Sequence, residues 1–310
     1  MSWENIISIS FSKSKNPLVF VSKFLSVFGM AAGCFSIITA LSIMNGFEKL
    51  IKHKLRGFEG DLRISGIYDE NKLNDFEDIL ETSPFIERKA IMEYSNEFSV
   101  LTFKAINKNK FDKVYDISHT GNGLKNGEVM VGKDLAVRLG LDIGDSILIY
   151  SPLDQNFGFG LPIKRKFIIS SIFSSNVIDY DNRYVFLTLF DGKKLFKRKL
   201  KDKSCDIRIN DDLALNEIKN KLYSKLGQNI KVKSWEDLNE SLVDAMKLEK
   251  IGATIVLSLI FLVSSFNLAM NLSLNSLQNL KEIALLKALG ASKISIRKII
   301  LYMGIKLSGI

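Results

Sequence analysis

The chain has 310 residues, 46% of them apolar, and a formal net charge of +9. That excess is not the footprint of a nucleic-acid binder: residues 1–46 hold three Lys/Arg against one acid, residues 251–310 hold six against one, and the middle, with 34 against 32, is close to neutral. With two cysteines, Cys34 and Cys205, and two histidines, His53 and His119, the chain is not a disulfide-stapled scaffold and offers no His/Cys metal spacing.

In chain order, residues 3–15 read as a short amphipathic segment ended by Asn16-Pro17. Residues 24–44 are apolar and uncharged, as are residues 251–280. A bilayer core of about 30 Å needs roughly twenty such residues in a helix, which satisfies its own backbone polar groups. Ala31-Ala-Gly-Cys34 loosely resembles a lipoprotein signal, but apolar sequence continues for ten residues beyond Cys34. Lys13, Lys15 and Lys23 precede the first stretch, and Lys281, Lys287, Lys293, Arg297 and Lys298 follow the second. The positive-inside rule therefore puts both ends in the cytoplasm and the residues between the spans outside.

After the first span, Leu50, Ile51, Leu55 and Phe58 recur at helical spacing and predict a stalk helix over 48–58. The period then shortens. Residues 61–67, 97–106, 128–131, 146–150, 166–173 and 184–189 read as strands, with helices over 133–139 and 212–226, so the outer domain is mixed α+β. Ser234-x-x-Asp237 has the form of a capping box and predicts one long helix running from there through the second span to residue 280, with a flexible break near Gly252 as the alternative. The resulting division is a cytoplasmic segment 1–23, a span 24–46, an outer domain 47–250, a span 251–275, a cytoplasmic segment 276–298 and the start of a third apolar helix over 299–310.

Catalytic chemistry finds no support. Gly127-Glu-Val-Met-Val-Gly-Lys133 approaches a phosphate-binding loop, but Asp134 stands where a Ser or Thr would ligate magnesium, and the run reads as a buried strand. His53 and His119 are expected to be solvated surface residues, and neither belongs to a triad. No enzyme activity and no cofactor are expected. Ser258, Ser264, Ser265, Asn267, Asn271 and Asn275 give the second span a polar load that normally faces other helices, and Gly29 and Gly33 offer a small-xxx-small contact; both point to oligomerisation.

Three stretches together resemble one family. Ser42-Ile-Met-Asn-Gly-Phe-Glu48, with Met44, Asn45, Gly46 and Phe47 at its centre, is similar to a signature of the lipoprotein-releasing permeases, the LolC/LolE type of the FtsX/MacB-like permeases. Gly132-Lys-Asp-Leu-Ala-Val-Arg-Leu-Gly-Leu-Asp-Ile-Gly-Asp145 resembles that family's outer-domain motif. Lys247-Leu-Glu-Lys250, Phe266-Asn267 and Lys281-Glu-Ile-Ala-Leu-Leu-Lys-Ala-Leu-Gly-Ala-Ser292 resemble its second span and cytoplasmic segment.

The resemblance implies two complete spans flanking a MacB-like periplasmic domain of α+β class, followed by an amphipathic cytoplasmic coupling helix. It further implies an inner-membrane subunit of an ATP-driven complex that extracts lipoproteins and passes them to a periplasmic carrier. Its partners would be an ABC ATPase, a second permease subunit, the same or homologous, the carrier and the lipoproteins. A MacB-like exporter, an FtsX-like regulator of wall hydrolases, or a two-span sensor or scaffold without an ATPase are the alternatives. The coupling role falls on Lys281, Glu282, Ile283, Ala284, Leu285, Ala288 and Gly290, and the alternative there is a helix lying on lipid headgroups. The carrier-binding hook falls on residues 156–166, through Phe157, Phe159, Leu161, Pro162 and Arg165, unless that loop folds back on its own domain. The family has four spans, whereas this sequence ends within the third; truncation, a second reading frame or decay of the subunit would each explain that.

Overall fold

In the computed structural model of the chain, residues 6–8, 17–73, 76–152, 164–196, 203–210, 215–227 and 229–307 are described. They divide into two units, Met1–Glu48 with Asp244–Ile310, and Lys49–Val243.

The elements, in chain order, are helix α1 (Pro17–Glu59), strands β1 (Leu62–Gly66), β2 (Ile79–Tyr94) and β3 (Glu97–Ile106), helix α2 (Phe111–Val114), strands β4 (Ser118–Gly121) and β5 (Glu128–Gly132), helix α3 (Lys133–Leu139), strands β6 (Ser146–Tyr150) and β7 (Arg165–Ser174) and helix α4 (Ile178–Arg183). There follow β8 (Tyr184–Thr188), α5 (Leu189–Leu195), β9 (Lys203–Ile209), α6 (Leu215–Leu226), β10 (Ile230–Ser234), α7 (Trp235–Leu238), α8 (Glu240–Gln278), α9 (Leu280–Ala288) and α10 (Lys293–Leu307).

In the unit Lys49–Val243, six strands close on themselves in the order β2-β3-β8-β5-β7-β6 and back to β2. Alternate residues of every one of them, among them Met92, Phe103, Val131, Ile149, Ile169 and Val185, meet in a single buried cluster. Successive side chains on a strand point to opposite faces, so this cluster is the interior of the ring. Ser170 is an extra residue in β7 where its register with β5 slips, which returns Ile172 to the interior and sends Phe173 outward. The first half of β2 leaves the ring and pairs with β9, making a second, antiparallel array β10-β1-β9-β2. Helix α6 covers it through Ile218 and Leu222, which pack with Ile64, Ile207 and Val232.

The stalk prediction holds for Leu55 and Phe58, which are buried against the outer face of the ring, while Leu50 is exposed. The stalk is the continuation of the first apolar helix and not a separate element. It ends where Gly60, at φ +77°, turns the chain left-handed and donates its N–H to the Arg56 carbonyl at 2.9 Å. The capping box at Ser234 and Asp237 forms as expected. The long helix predicted from it does not start there: α7 stops after four residues, Asn239 interrupts, and α8 begins at Glu240 and then passes Gly252 unbroken. Asn239 leaves the helical path at φ −118°, while its backbone N–H and its side-chain amide both donate to the Trp235 carbonyl, at 3.2 and 2.9 Å.

In the other unit, α8 is long and apolar enough to cross a membrane, as is the first apolar helix from Ala31 onward. Phe35, Ile38, Ile255, Leu259 and Phe266 are exposed on them. A Cβ on Gly33 would touch Ser264 and Ile260 of α8, whereas Gly29 faces open space. Part of the polar load is satisfied within its own helix: Ser258 and Ser265 donate to the carbonyls of Thr254 and Phe261 at 2.7 and 2.9 Å.

Candidate functional site at the stalk junction

The end of α1 is inserted into a box of aromatic rings. Phe58 stacks on Tyr180 with centroids 3.9 Å apart and 8° between planes, and meets Tyr184, Phe186 and Phe173 at 4.9, 5.5 and 6.2 Å. One residue on, the buried Glu59 carboxylate accepts a 2.6 Å bond from the Tyr180 hydroxyl, which also lies 3.3 Å from the Asn239 side-chain oxygen. Burial first, and the Glu59 carboxylate next, push the Tyr180 hydroxyl far above its ordinary range, so it stays protonated and donates. Tyr180 is held by its neighbour: Asp181 accepts from the Ser175 N–H and hydroxyl, both at 2.7 Å, and from the Asn176 N–H at 3.2 Å, which fixes the turn ahead of α4. A cleft of about 740 Å³ is lined by Leu55, Glu59, Tyr180, Asn239 and Leu242 among others.

Behind Glu59 lies a buried ionic network. Asp206 on β9 accepts from the Arg63 Nε at 2.8 Å and the Tyr115 hydroxyl at 2.9 Å, and is ion-paired with the Lys104 Nζ at 2.6 Å. Arg63 also stands 3.8 Å from both Glu59 and Glu87. Burial opposes ionisation of Asp206, but Arg63 and then Lys104 outweigh it and hold its carboxyl below the usual range. The Lys104 ammonium lies over the rings of Tyr115, Phe85 and Phe58 at 4.6, 4.8 and 5.5 Å. Nearby, Asp61 binds the Arg56 Nε at 2.6 Å, Arg208 at 3.3 Å and the Ile209 N–H at 2.8 Å. Helix end, linker and four strands are thus joined by charge around the fully buried Asp61, Lys104 and Asp206.

Sequence reasoning missed this junction. A signal was present, since Lys104 and Asp206 each sit among apolar residues in strand-like runs, where a charge is rare unless paired. His119 was expected at the surface; three quarters of its side chain is covered, its ring stands edge-on to Phe111, and it pairs with Asp112 at 3.5 Å. His53 is exposed, as expected, and lies 3.3 Å from Asp116. Glycines 127 and 132 bracket β5, whose residues are buried strand and not a loop presenting amides.

Of the residues singled out by resemblance, Met44, Asn45, Gly46 and Phe47 lie on α1, with Met44 partly covered and the other three exposed. Glu48 at the end of that motif pairs at 2.9 Å with Lys250, the last residue of Lys247-Leu-Glu-Lys250. Lys281, Glu282, Ala284, Leu285 and Ala288 are exposed on α9, and Ile283 is partly covered. Gly290 follows the helix at φ +93°, and the Ser292 hydroxyl accepts from the Ser295 N–H at 3.1 Å to cap α10. Phe157, Phe159, Leu161 and Pro162 lie outside the described residues; Arg165 opens β7, opposite Ile149.

In the chain, a closed ring of strands with an antiparallel annex lies between two helices long and apolar enough to cross a membrane, an arrangement that fits an α+β membrane permease. The model of the MacB-like periplasmic core domain matches residues 23–233, and that of the FtsX-like permease C-terminal matches residues 254–308. The lipoprotein-releasing system transmembrane protein LolC of Buchnera aphidicola subsp. Schizaphis graminum is 30% identical, over 92% of this chain and 74% of that one. LolC of Xylella fastidiosa is 24% identical over 94% and 74%, and LolE of Haemophilus influenzae 23% over 95% and 75%. Among solved structures, the periplasmic region of MacB from Actinobacillus actinomycetemcomitans aligns with 61% of this chain and 95% of that one, at 12% identity and a TM-score of 0.43. The chain belongs to the LolC/LolE-type permeases of the lipoprotein-releasing system, within the FtsX-like, MacB-like superfamily.

Proposed function

We propose that this permease works as a non-hydrolysing subunit of an inner-membrane complex in which a separate ABC ATPase drives the extraction of lipoproteins and their transfer to a periplasmic carrier. Residues 47–250 face the periplasm in this reading, and both basic flanks face the cytoplasm. The ATPase grips α9 through Lys281, Glu282 and their neighbours; its closure moves α9, and α8 carries the movement outward. The carrier is captured by the loop 156–166. A second permease subunit, the same or homologous, covers the polar face of α8.

The observation that carries the reading is the match to LolC over more than nine tenths of the chain, which includes both apolar helices and the segment that follows them. Continuous α1 and α8 support mechanical transmission, because neither helix has a break at the point where apolar sequence gives way to polar. The test is photo-crosslinking from the outer domain in intact cells. Crosslinks to lipoproteins, with co-purification of an ATPase, are expected; crosslinks to wall hydrolases or an outer-membrane duct in their place would overturn the reading, and absence of any ATPase would favour the two-span sensor.

A further inference from the structure

We infer that Tyr180 is a positioning residue that sets the separation of the two helices where they enter the outer domain, by sharing its one hydroxyl hydrogen between the Glu59 carboxylate at the end of α1 and the side-chain oxygen of Asn239, the residue ahead of α8. Its functional readout rests on the permease reading; its structural readout does not.

Three observations carry it. Glu59 and Asn239 are 180 positions apart in the chain, and the Tyr180 hydroxyl lies between them, donating its hydrogen to Glu59 at 2.6 Å with the Asn239 side-chain oxygen as a second, weaker acceptor at 3.3 Å. Each partner is itself anchored, Glu59 by Arg63 at 3.8 Å and Asn239 by its bond to the Trp235 carbonyl at 2.9 Å. A cleft lined by Leu55 of α1 and by Leu242 of α8 opens beside the hydroxyl, so the bridge stands where side chains leave space between the two segments. The ring of Tyr180 is already secured by its stack on Phe58. The hydroxyl is therefore not needed to bury the ring, and burying it costs free energy unless it is bonded. What it adds is a directional tie between two elements that lead to the two spans.

The experiment uses the full-length chain in lipid nanodiscs, with Cys34→Ser and spin labels at Lys49→Cys and Glu240→Cys, both exposed positions. Tyr180→Phe keeps the stack and removes the bridge; the label distance distribution should broaden, and lipoprotein release by the assembled complex should fall about fivefold, within the range a coupling residue commands. Asn239→Ala removes the other end and should broaden the distribution in the same way. Glu59→Gln keeps an acceptor for the hydroxyl and should keep the narrow distribution. Unchanged distributions in Tyr180→Phe and Asn239→Ala would overturn the proposal, as would broadening with release intact. If Tyr180→Phe fails to fold, the Asn239→Ala distribution decides. A parent complex that releases no lipoprotein would sink the permease reading alone, with the distances still judging the bridge.

Discussion

Lys104 and Asp206, on strands separated by β2, are both closed to solvent and lie 2.6 Å apart. Removing one partner of such a pair strands a buried charge, at a cost of about 3–5 kcal/mol, whereas replacing both by apolar residues of similar volume is often neutral or stabilising. Lys104→Met should therefore destabilise the full-length protein by about 3 kcal/mol, near the low end because Arg63 and Tyr115 still face Asp206. Lys104→Met with Asp206→Leu should recover most of that loss. Urea unfolding in detergent checks it, and a double variant as weak as the single one would show that Asp206 is needed for more than Lys104.

Acid should loosen the same junction. Asp206 is held below its ordinary range, and so is Asp237, where burial acts against ionisation but Lys219 and the Ser234 cap prevail. A depressed carboxyl contributes stability that is present above its unfolded pKa of about 3.9 and is lost as pH falls through the folded value. Unfolding midpoints should hold from pH 7 to pH 5 and drop below pH 4, with a shallower drop in Asp206→Asn. Identical acid slopes for the two proteins would count against the network.

Orientation follows from the basic flanks. A reporter active only in the periplasm should work when fused near Asn122, in the loop after β4, and fail when fused after Lys298. The opposite pattern would reverse the topology.

Exposed α9 carries the ATPase assignment. Glu282→Lys, or Ala288→Glu, should weaken co-purification of the ATPase while the outer domain keeps its unfolding transition, since both side chains are exposed and contribute little to stability. Undiminished co-purification would remove the coupling role from this helix.

The hook assignment is checked by replacing Phe159 and Pro162 together with Ala. Burial of an apolar side chain in a carrier is worth about 1.5–3 kcal/mol, and 1.4 kcal/mol is about tenfold in affinity, so carrier binding should weaken at least about tenfold. Normal binding, or an unfolded domain, would make the loop a structural hairpin.

Local signals account for what was legible in the sequence. Both apolar helices, six of the strands, the capping box at Ser234 and the glycine after α9 announced themselves, because each depends on residues within a few positions of one another. Strands β2, β4, β9 and β10 did not. Pro84 stands inside β2 although it cannot donate to a ladder, and in β9 only Cys205, Ile207 and Ile209 alternate with the charges of Asp206 and Arg208, a run too short to stand out. Those charges are tolerated only because partners from distant segments meet them in the folded chain.

The motifs around Glu48 and Lys250 were readable one at a time, but their 2.9 Å pairing spans 202 positions. The tie from Glu59 through Tyr180 to Asn239 is of the same kind. By itself the sequence determined the two long apolar helices, six of the described strands and the family, since periodicity and motif need only neighbours along the chain. Tertiary structure decided which helix ends are joined, because closure of the six-stranded ring brings residues together that no period in the sequence relates.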